Sequence, residues 1–334
     1  KRRIMVLKEF LEQWNNDEKT IEVRTSGSTG KPKKIVLFKA MMQESARRTC
    51  DFLNLRQGDS ALLCLSLDHI GGKMMVIRAL ERGLKLTDVG ATGHPLNSLS
   101  TAPTFVAMVP LQVFNSLQNP KERELLRNIK HIIIGGSAID PELAEQLKDF
   151  PNAIWSTYGM TETASHIALR RVNGPSASEW YIPFDGIYVS QDEDKCLIIR
   201  QDLPRHLQTS DLLNDERLQS SLCLHTNDIV EIAPNGRYFK VIGRKDNVIV
   251  SGGIKIQAEE VEALLRQYIH TPLAIAKKKD PKFGEIVVLL VENGNAEELE
   301  LICKEHLPHY WKPKEIIVTD ALPRTENGKI KRQL

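Results

Sequence analysis

ALLCLS (61–66), KMMVIRALERG (73–83), TFVAMV (104–109), HIIIGGS (131–137), PELAEQLKDF (141–150) and AIWSTYG (153–159) follow one another from Ser60 onward, short apolar runs alternating with amphipathic stretches of helical length. That alternation is the pattern of β-α units around a mainly parallel sheet. Within it, Ile132-Ile133-Ile134 reads as a buried strand running into the turn Gly135-Gly136-Ser137-Ala138, ahead of a helix expected from Pro141 to Phe150.

Outward from this block the pattern changes twice. After Tyr181 come short β-rich segments, GIYVS (186–190), KCLIIR (195–200) and DIVEIAPNGRYFKVIG (228–243), in which Pro234-Asn235-Gly236 supplies a hairpin turn. Beyond Gly243 an extended run (246–253), a helix (258–268), two strands (271–278 and 284–292), a second helix (296–307) and a last strand (315–320) read as a compact α+β lobe. The chain of 334 residues exceeds the usual size of one core. The expectation is an α/β protein with a large N-terminal domain over 1–243 and a small mobile α+β C-terminal domain over 244–334. The large domain divides into a mainly parallel α/β sheet part (1–180) and a β-rich part, a small β-barrel or sheet (181–243). No repeat, low-complexity tract or long linker separates them, so the boundary near Arg244 reads as a tight hinge that permits rotation.

Forty-five basic against 43 acidic residues leave no global charge to attract nucleic acid, and the clusters Lys1-Arg2-Arg3 and Lys277-Lys278-Lys279 lack interleaved aromatics. Cys50, Cys64, Cys196, Cys223 and Cys303 are scattered and odd in number, which suggests neither a disulfide framework nor zinc and fits a reducing cytoplasm. No apolar run approaches the roughly 20 residues of a membrane span. Oligomeric state is not legible; a homo-oligomer is compatible with the sequence.

Chemistry concentrates in five places. Thr25-Ser26-Gly27-Ser28-Thr29-Gly30-Lys31-Pro32-Lys33 packs hydroxyls, glycines and two lysines into nine residues, a composition suited to wrapping a triphosphate with N–H groups, hydroxyls and ammonium charge. It departs from the G-x-x-x-x-G-K-[ST] pattern, which disfavours a Walker-type NTPase, and by itself it also suits an ordinary polar loop. Ser156-Thr157-Tyr158-Gly159-Met160-Thr161-Glu162 offers an aromatic face for a purine, a glycine for close approach, a hydroxyl for phosphate and a carboxylate for Mg²⁺, or simply a strand and its turn. The other three are His225-Thr226-Asn227-Asp228, the stretch Gly243-Arg244-Lys245-Asp246-Asn247 through Ile256, and Leu322-Pro323-Arg324-Thr325-Glu326-Asn327-Gly328-Lys329. A lone lysine in a basic tail is ordinarily solvated surface; the residues around Lys329 set it apart.

In type and order these five segments resemble the motifs of the adenylate-forming superfamily, which holds acyl-CoA synthetases, luciferases and peptide-synthetase adenylation domains. The resemblance covers Thr25 to Lys329. It implies that ATP is held by Thr25, Ser26, Gly27, Ser28, Thr29, Gly30 and Lys31, with Tyr158 and Gly159 on adenine, Thr161 on phosphate and Glu162 on Mg²⁺. It further implies that Asp228 binds the ribose hydroxyls, that Arg244 reaches ribose or phosphate, and that Gly135, Gly136 and Ser137 border the adenine and acyl sites. Asn227 replaces the family's glycine in T-G-D, and Asn tolerates the same left-handed backbone. Asp246 becomes the hinge, Gly252-Gly253 the face beside a channel for the thiol of CoA, and Lys329 the catalytic cation that stabilises charge at the α-phosphate.

For the acid, Leu65-Ser66-Leu67-Asp68-His69-Ile70-Gly71-Gly72 resembles the P-L-x-H-x-x-G segment of aryl- and acyl-CoA ligases, whose histidine stands beside the acyl carboxylate. His69 reads equally as a hydrogen-bonded residue at a strand end, and Asp68 is unusual there. Arg78, Lys73 and His166, with Arg170 and Arg171, would form a cationic cluster for a small-molecule acid carrying a second carboxylate; Arg78 alone also reads as a charge snorkelling from a helix face. Only 24 residues precede the phosphate loop, where most family members carry a long further subdomain. The resemblance therefore implies a minimal enzyme, a site completed by another subunit, or a chain cut short. With His69 and Arg78 so spaced, the chain resembles the bacterial o-succinylbenzoate–CoA ligases. Another aryl or fatty acyl-CoA ligase, an amino-acid adenylation domain in which Asp68 binds an amino group, and a non-catalytic nucleotide-binding relative are the competing readings.

Overall fold

The alternating block folds as a seven-stranded sheet in the computed structural model, which describes residues 5–24, 34–203, 208, 215–324 and 330–332. Ahead of the sheet lie α1 (Leu7–Trp14), the antiparallel pair β1 (Thr20–Arg24) and β2 (Lys34–Phe38), and α2 (Lys39–Phe52). The β-α units follow as β3 (Ser60–Leu63), α3 (Ile70–Arg82), β4 (Lys85–Asp88), β5 (Phe105–Met108), α4 (Pro110–Gln118), α5 (Pro120–Asn128), β6 (His131–Ile134), α6 (Pro141–Leu147) and β7 (Ala153–Gly159). Two antiparallel strands, β8 (His166–Arg171) and β9 (Ile182–Pro183), complete the order β4-β3-β5-β6-β7-β8-β9, with β4 through β7 parallel.

Period-two alternation decides which side chains meet the helices. Leu62, Cys64, Val106, Met108, Ile132, Ile134 and Ile154 lie in one buried cluster with Val113 of α4, Leu126 of α5 and Leu143 of α6. Each such aliphatic side chain contributes roughly 1.5–3 kcal/mol by leaving water. Local chemistry sets the helix ends. Asn119 caps α5 and Asp140 caps α6 through side-chain oxygens, each followed by proline at the first helical position. Gly83, left-handed at φ +63°, closes α3. The helix expected to reach Phe150 stops at Leu147, because Phe150 precedes Pro151 and a residue before proline is driven from the helical region.

Two compact units divide the chain: Lys1–Val189, Ile199–Leu224 and Pro234–Tyr238 form the first, and Ser190–Ile198, His225–Ala233 and Phe239–Leu334 the second. Segments 190–198 and 225–233, which the sequence assigns to the N-terminal domain, thus group with the C-terminal part. After β10 (Ile187–Gln191), β11 (Cys196–Gln201) and α7 (Glu216–Ser221), the strands β12 (Cys223–Ile232) and β13 (Phe239–Arg244) form a hairpin across Pro234-Asn235-Gly236. The sheet to which they belong runs in the order β10-β11-β12-β13, and no pair closing it into the expected small barrel occurs among the described residues.

The rest of the second unit is a five-stranded sheet of β14 (Val248–Ser251), β15 (Ile254–Gln257), β16 (Leu273–Asp280), β17 (Gly284–Glu292) and β18 (Glu315–Thr319). Its helices, α8 (Ala258–Leu265) and α9 (Ala296–His306), bury Val261, Leu265, Leu299 and Cys303 against Ile275, Leu289 and Val291. Among the described residues no helix is long and apolar enough to cross a membrane.

Candidate functional site

Because β3, β5, β6 and β7 run parallel, their carboxyl ends share one sheet edge, where α/β folds place ligands. After β3 the chain turns so tightly into α3 that a Cβ on Gly72 would lie 2.3 Å from the Ser66 carbonyl oxygen. That turn sets His69, half-buried, as the N-cap residue of α3. After β6, Gly135 donates to the Met108 carbonyl at 3.0 Å, and its missing side chain makes room for Thr157, whose Oγ1 would be 2.3 Å from a Cβ there. Gly136 and half-buried Ser137 follow.

After β7 the chain makes a single tight turn at Thr161–Thr163. Thr163 accepts from Met160 N at 3.0 Å, Ala164 takes the left-handed conformation at φ +63°, and Glu162 stands exposed on the turn. Tyr158, one residue before Gly159, faces Tyr181 with ring centroids 5.7 Å apart, and the Tyr181 hydroxyl meets Ser156 Oγ at 3.1 Å. Arg170 lies over the other ring of this pair, 5.6 Å from the Tyr181 centroid. Tyr181 was not singled out in the sequence; no motif contains it, and only the β7–β8–β9 meander brings it back to Tyr158.

The cations expected to cluster do not gather in one place: Arg170 stands over Tyr181, Arg171 Nε donates to Asn173 O at 3.0 Å, and Arg78, His166 and Lys73 lie elsewhere. Arg78 is 1% exposed, so the snorkelling alternative is overturned: α3 is covered on this side as well as on the sheet side. Its NH2 donates to Ser165 Oγ at 2.8 Å and faces His166 Nδ1 at 3.4 Å, while its Nε has no partner. Among the described residues no carboxylate pairs with it. Thr49 of α2, which carries no motif, lies 3.0 Å from His166 Nε2 and gives its own proton to the Ser45 carbonyl at 3.0 Å. Thr49 therefore accepts from Nε2–H, which leaves the Nδ1 lone pair toward Arg78. Burial, and then the neighbouring guanidinium, hold His166 neutral, well below the ordinary histidine range. Burial also pulls Arg78 down to about 10, still charged at neutral pH.

Lys73 does not join them. Five residues apart, Lys73 and Arg78 point about 140° away from each other around α3. Lys73 Nζ sits 4.9 Å from the Phe10 ring centroid and 3.2 Å from Met5 Sδ, at the N-terminal helix. Burial lowers its pKa to about 8, against the opposing charge of Asp68.

In the second unit, the β12–β13 register sets Asp228 opposite Arg244, whose NH1 reaches the Asp228 carboxylate at 3.2 Å and whose NH2 reaches Asp246 at 3.1 Å. Asp246 lies in a single helical turn, Lys245–Asn247, and its side chain is 61% exposed. Gly252 and Gly253, at φ +57° and +85°, form the β14–β15 turn. Gly252 N donates to Phe283 O at 2.9 Å, and Lys282 and Lys314 lie 5.2 and 5.7 Å from the Phe283 ring centroid. Two sets of expected residues, Thr25 to Lys31 and Lys329, lie outside the described residues. The flanks of the first are paired, with Arg24 opposite Lys34 in the β1–β2 register.

No group of three or more His, Cys, Asp or Glu side chains able to hold a metal occurs among the described residues. A lone exposed carboxylate such as Glu162 fits Mg²⁺ that arrives on phosphate oxygens and keeps much of its water.

Against known proteins, the AMP-binding enzyme family model matches residues 23–198, and the model for the AMP-binding enzyme C-terminal domain matches 260–329. A 2-succinylbenzoate–CoA ligase of Listeria monocytogenes is 27% identical over 97% of this chain and 71% of its own length. An acyl-CoA synthetase (AMP-forming)/AMP-acid ligase II-like protein of Dyadobacter fermentans superposes with a TM-score of 0.64 at 34% identity, over 97% of this chain and 91% of that one. The o-succinylbenzoate coenzyme A synthetase of Bacillus subtilis, solved with ATP and magnesium, has the same fold, with a TM-score of 0.72 at 22% identity over 93% and 68%.

Proposed function

The chain belongs to the AMP-binding enzyme family, an AMP-forming class of ligase, and within it we propose that it activates o-succinylbenzoate with ATP as the acyl-adenylate and then transfers the acyl group to CoA. The observation that carries this choice of acid is Arg78, a fully buried guanidinium with no carboxylate partner among the described residues, on the helix that His69 begins. A second carboxylate on the substrate supplies the anion that such a cation lacks. The pathway this reading implies is menaquinone biosynthesis.

The chemical problem is to bring a carboxylate onto an already anionic α-phosphate. In this reading Thr25 to Lys31 and Thr161 take the phosphates, Tyr158 and Gly159 take adenine with Gly135, Gly136 and Ser137 alongside, and Asp228 and Arg244 take the ribose. Glu162 would hold Mg²⁺, which supplies charge screening when bound. His69 orients the acyl carboxylate, Arg78 with His166 takes the distal one, and Lys329 steadies the charge that develops as pyrophosphate leaves. Rotation of residues 244–334 about Asp246 then exchanges Lys329 for the Gly252-Gly253 face, where the CoA thiolate attacks the acyl carbonyl of the adenylate and AMP leaves as the C–O bond to phosphate breaks. The structure gives Lys73 less support as an acid-binding residue, since it faces Phe10.

The test is turnover with ATP, Mg²⁺, CoA and a panel of acids, read as pyrophosphate release and thioester formation. Preference for o-succinylbenzoate over benzoates, fatty acids and amino acids is expected. Good turnover of those with none of o-succinylbenzoate ends the assignment, and no pyrophosphate with any acid ends the enzymatic reading.

A further inference from the structure

Thr49 stands one buried step behind the cation on which the choice of acid rests. It projects from α2, fully buried, and meets His166 of β8, which in turn meets Arg78 of α3. The hydrogens along this file run one way only. A guanidinium has no acceptor, so His166 Nδ1, 3.4 Å from Arg78 NH2, presents its lone pair. Burial and the neighbouring guanidinium keep the ring neutral, so its single N–H sits on Nε2 and is given to Thr49 Oγ1 at 3.0 Å. Thr49 then donates its own hydroxyl hydrogen to the Ser45 carbonyl at 3.0 Å. On the guanidinium, NH2 is taken up by His166 and by Ser165 Oγ at 2.8 Å. NH1 meets Met75 Sδ at 4.0 Å, and the buried Nε has no hydrogen-bond partner.

We infer that Thr49 is a positioning residue for the acid: by deciding which nitrogen of His166 carries hydrogen, it holds Arg78 NH2 in place and leaves Nε and NH1 to the substrate's distal carboxylate. With the Thr49 hydroxyl removed, Nε2–H becomes a buried donor without its acceptor, which the ring avoids by moving the hydrogen to Nδ1. Two donors, Nδ1–H and NH2, then oppose each other and turn the guanidinium from the carboxylate. A charged group recognises an anion through donors whose own supports are fixed. The inference rests on the reading of Arg78 as the contact for the second carboxylate.

Thr49→Val, Thr49→Ser, Arg78→Met and the double variant Thr49→Val/Arg78→Met separate the two ideas, each assayed by acid-dependent pyrophosphate release with o-succinylbenzoate and with a monocarboxylic analogue. Long-range proton–nitrogen NMR reads the His166 tautomer, its signals identified by their loss in His166→Gln. The unmutated protein is expected to show Nε2–H, and Thr49→Val to show Nδ1–H. Thr49→Val should raise KM for o-succinylbenzoate about tenfold, with kcat, KM for ATP and KM for the analogue little changed, and Thr49→Ser should restore the original values. In the double variant Thr49→Val should add nothing to the Arg78→Met loss. An Nδ1–H ring in the unmutated protein, which needs no variant to fold, overturns the inference alone. So do an unchanged KM for o-succinylbenzoate in Thr49→Val, equal KM rises for both acids, or losses that multiply in the double variant. An unchanged KM for o-succinylbenzoate in Arg78→Met overturns the underlying reading and the inference with it.

Discussion

Arg78 and Lys73 sit on one helix and answer burial differently. Arg78 keeps its charge with one hydroxyl, one imidazole nitrogen and an unmatched Nε around it, a costly arrangement without an anion. Arg78→Met is therefore expected to raise KM for a dicarboxylic substrate by roughly ten- to a hundredfold, the worth of a charged hydrogen bond, while a monocarboxylic analogue changes little. Urea unfolding of the same variant should show no loss of stability, since an unpaired buried charge has gone. Lys73, with its folded pKa about 8, gives a pH signature. Unfolded, it holds its proton to about 10.4, so between these values the unfolded chain binds more protons and stability climbs with pH. Below pH 8 the penalty is fully present. Lys73→Met should thus gain roughly 2 kcal/mol in urea melts at pH 7 and flatten the rise toward pH 10; an equal rise in both proteins contradicts this.

Gly159 shows how an element depends on an absent side chain. A Cβ there would lie 2.4 Å from both His166 Cα and Ser165 O, backbone atoms that cannot step aside. Gly159→Ala should part β7 from β8, lower stability by roughly 2 kcal/mol and weaken ATP binding, whereas Gly253→Ala meets nothing within 4 Å and strains only its own φ. A thermal melt and an ATP titration compare them. The parallel sheet was legible in the sequence because buried strands leave contiguous apolar runs such as Ile132-Ile133-Ile134 before Gly135, and the hairpin at Pro234-Asn235-Gly236 because turn residues announce themselves. Less legible was what depends on tertiary return. Thr49, Ser165 and Tyr181 owe their places to distant packing and carry no local pattern. Lys73 and Arg78 look alike in sequence, and only helical phase against α1 and α2 tells them apart. Whether the β-rich segments close into a barrel or stay a sheet was not legible either, since closure depends on which edges pair.

At the scale of the molecule, the proposed chemistry splits into two steps with separate demands. Lys329→Ala is expected to lose adenylation by about a hundredfold or more yet still make thioester from supplied acyl-adenylate; equal loss in both contradicts a domain exchange. The same division bears on how the chain acquires its shape. Every pairing from β3 through β7 is parallel, so each requires an intervening crossover before two strands can meet, and β3 to β5 waits for some forty residues. In the second unit β14 meets β15 across two glycines, and β16 meets β17 within twenty residues. Loop-closure entropy delays distant contacts, so the portion synthesised last is expected to protect its amides first. Pulse-labelled hydrogen exchange during refolding should find Leu289 and Ile275 shielded earlier than Ile132 and Val106, and the reverse order would contradict this. On a ribosome, the early sheet would then present its strand edges to solvent for longest, making the N-terminal block the segment in need of a chaperone.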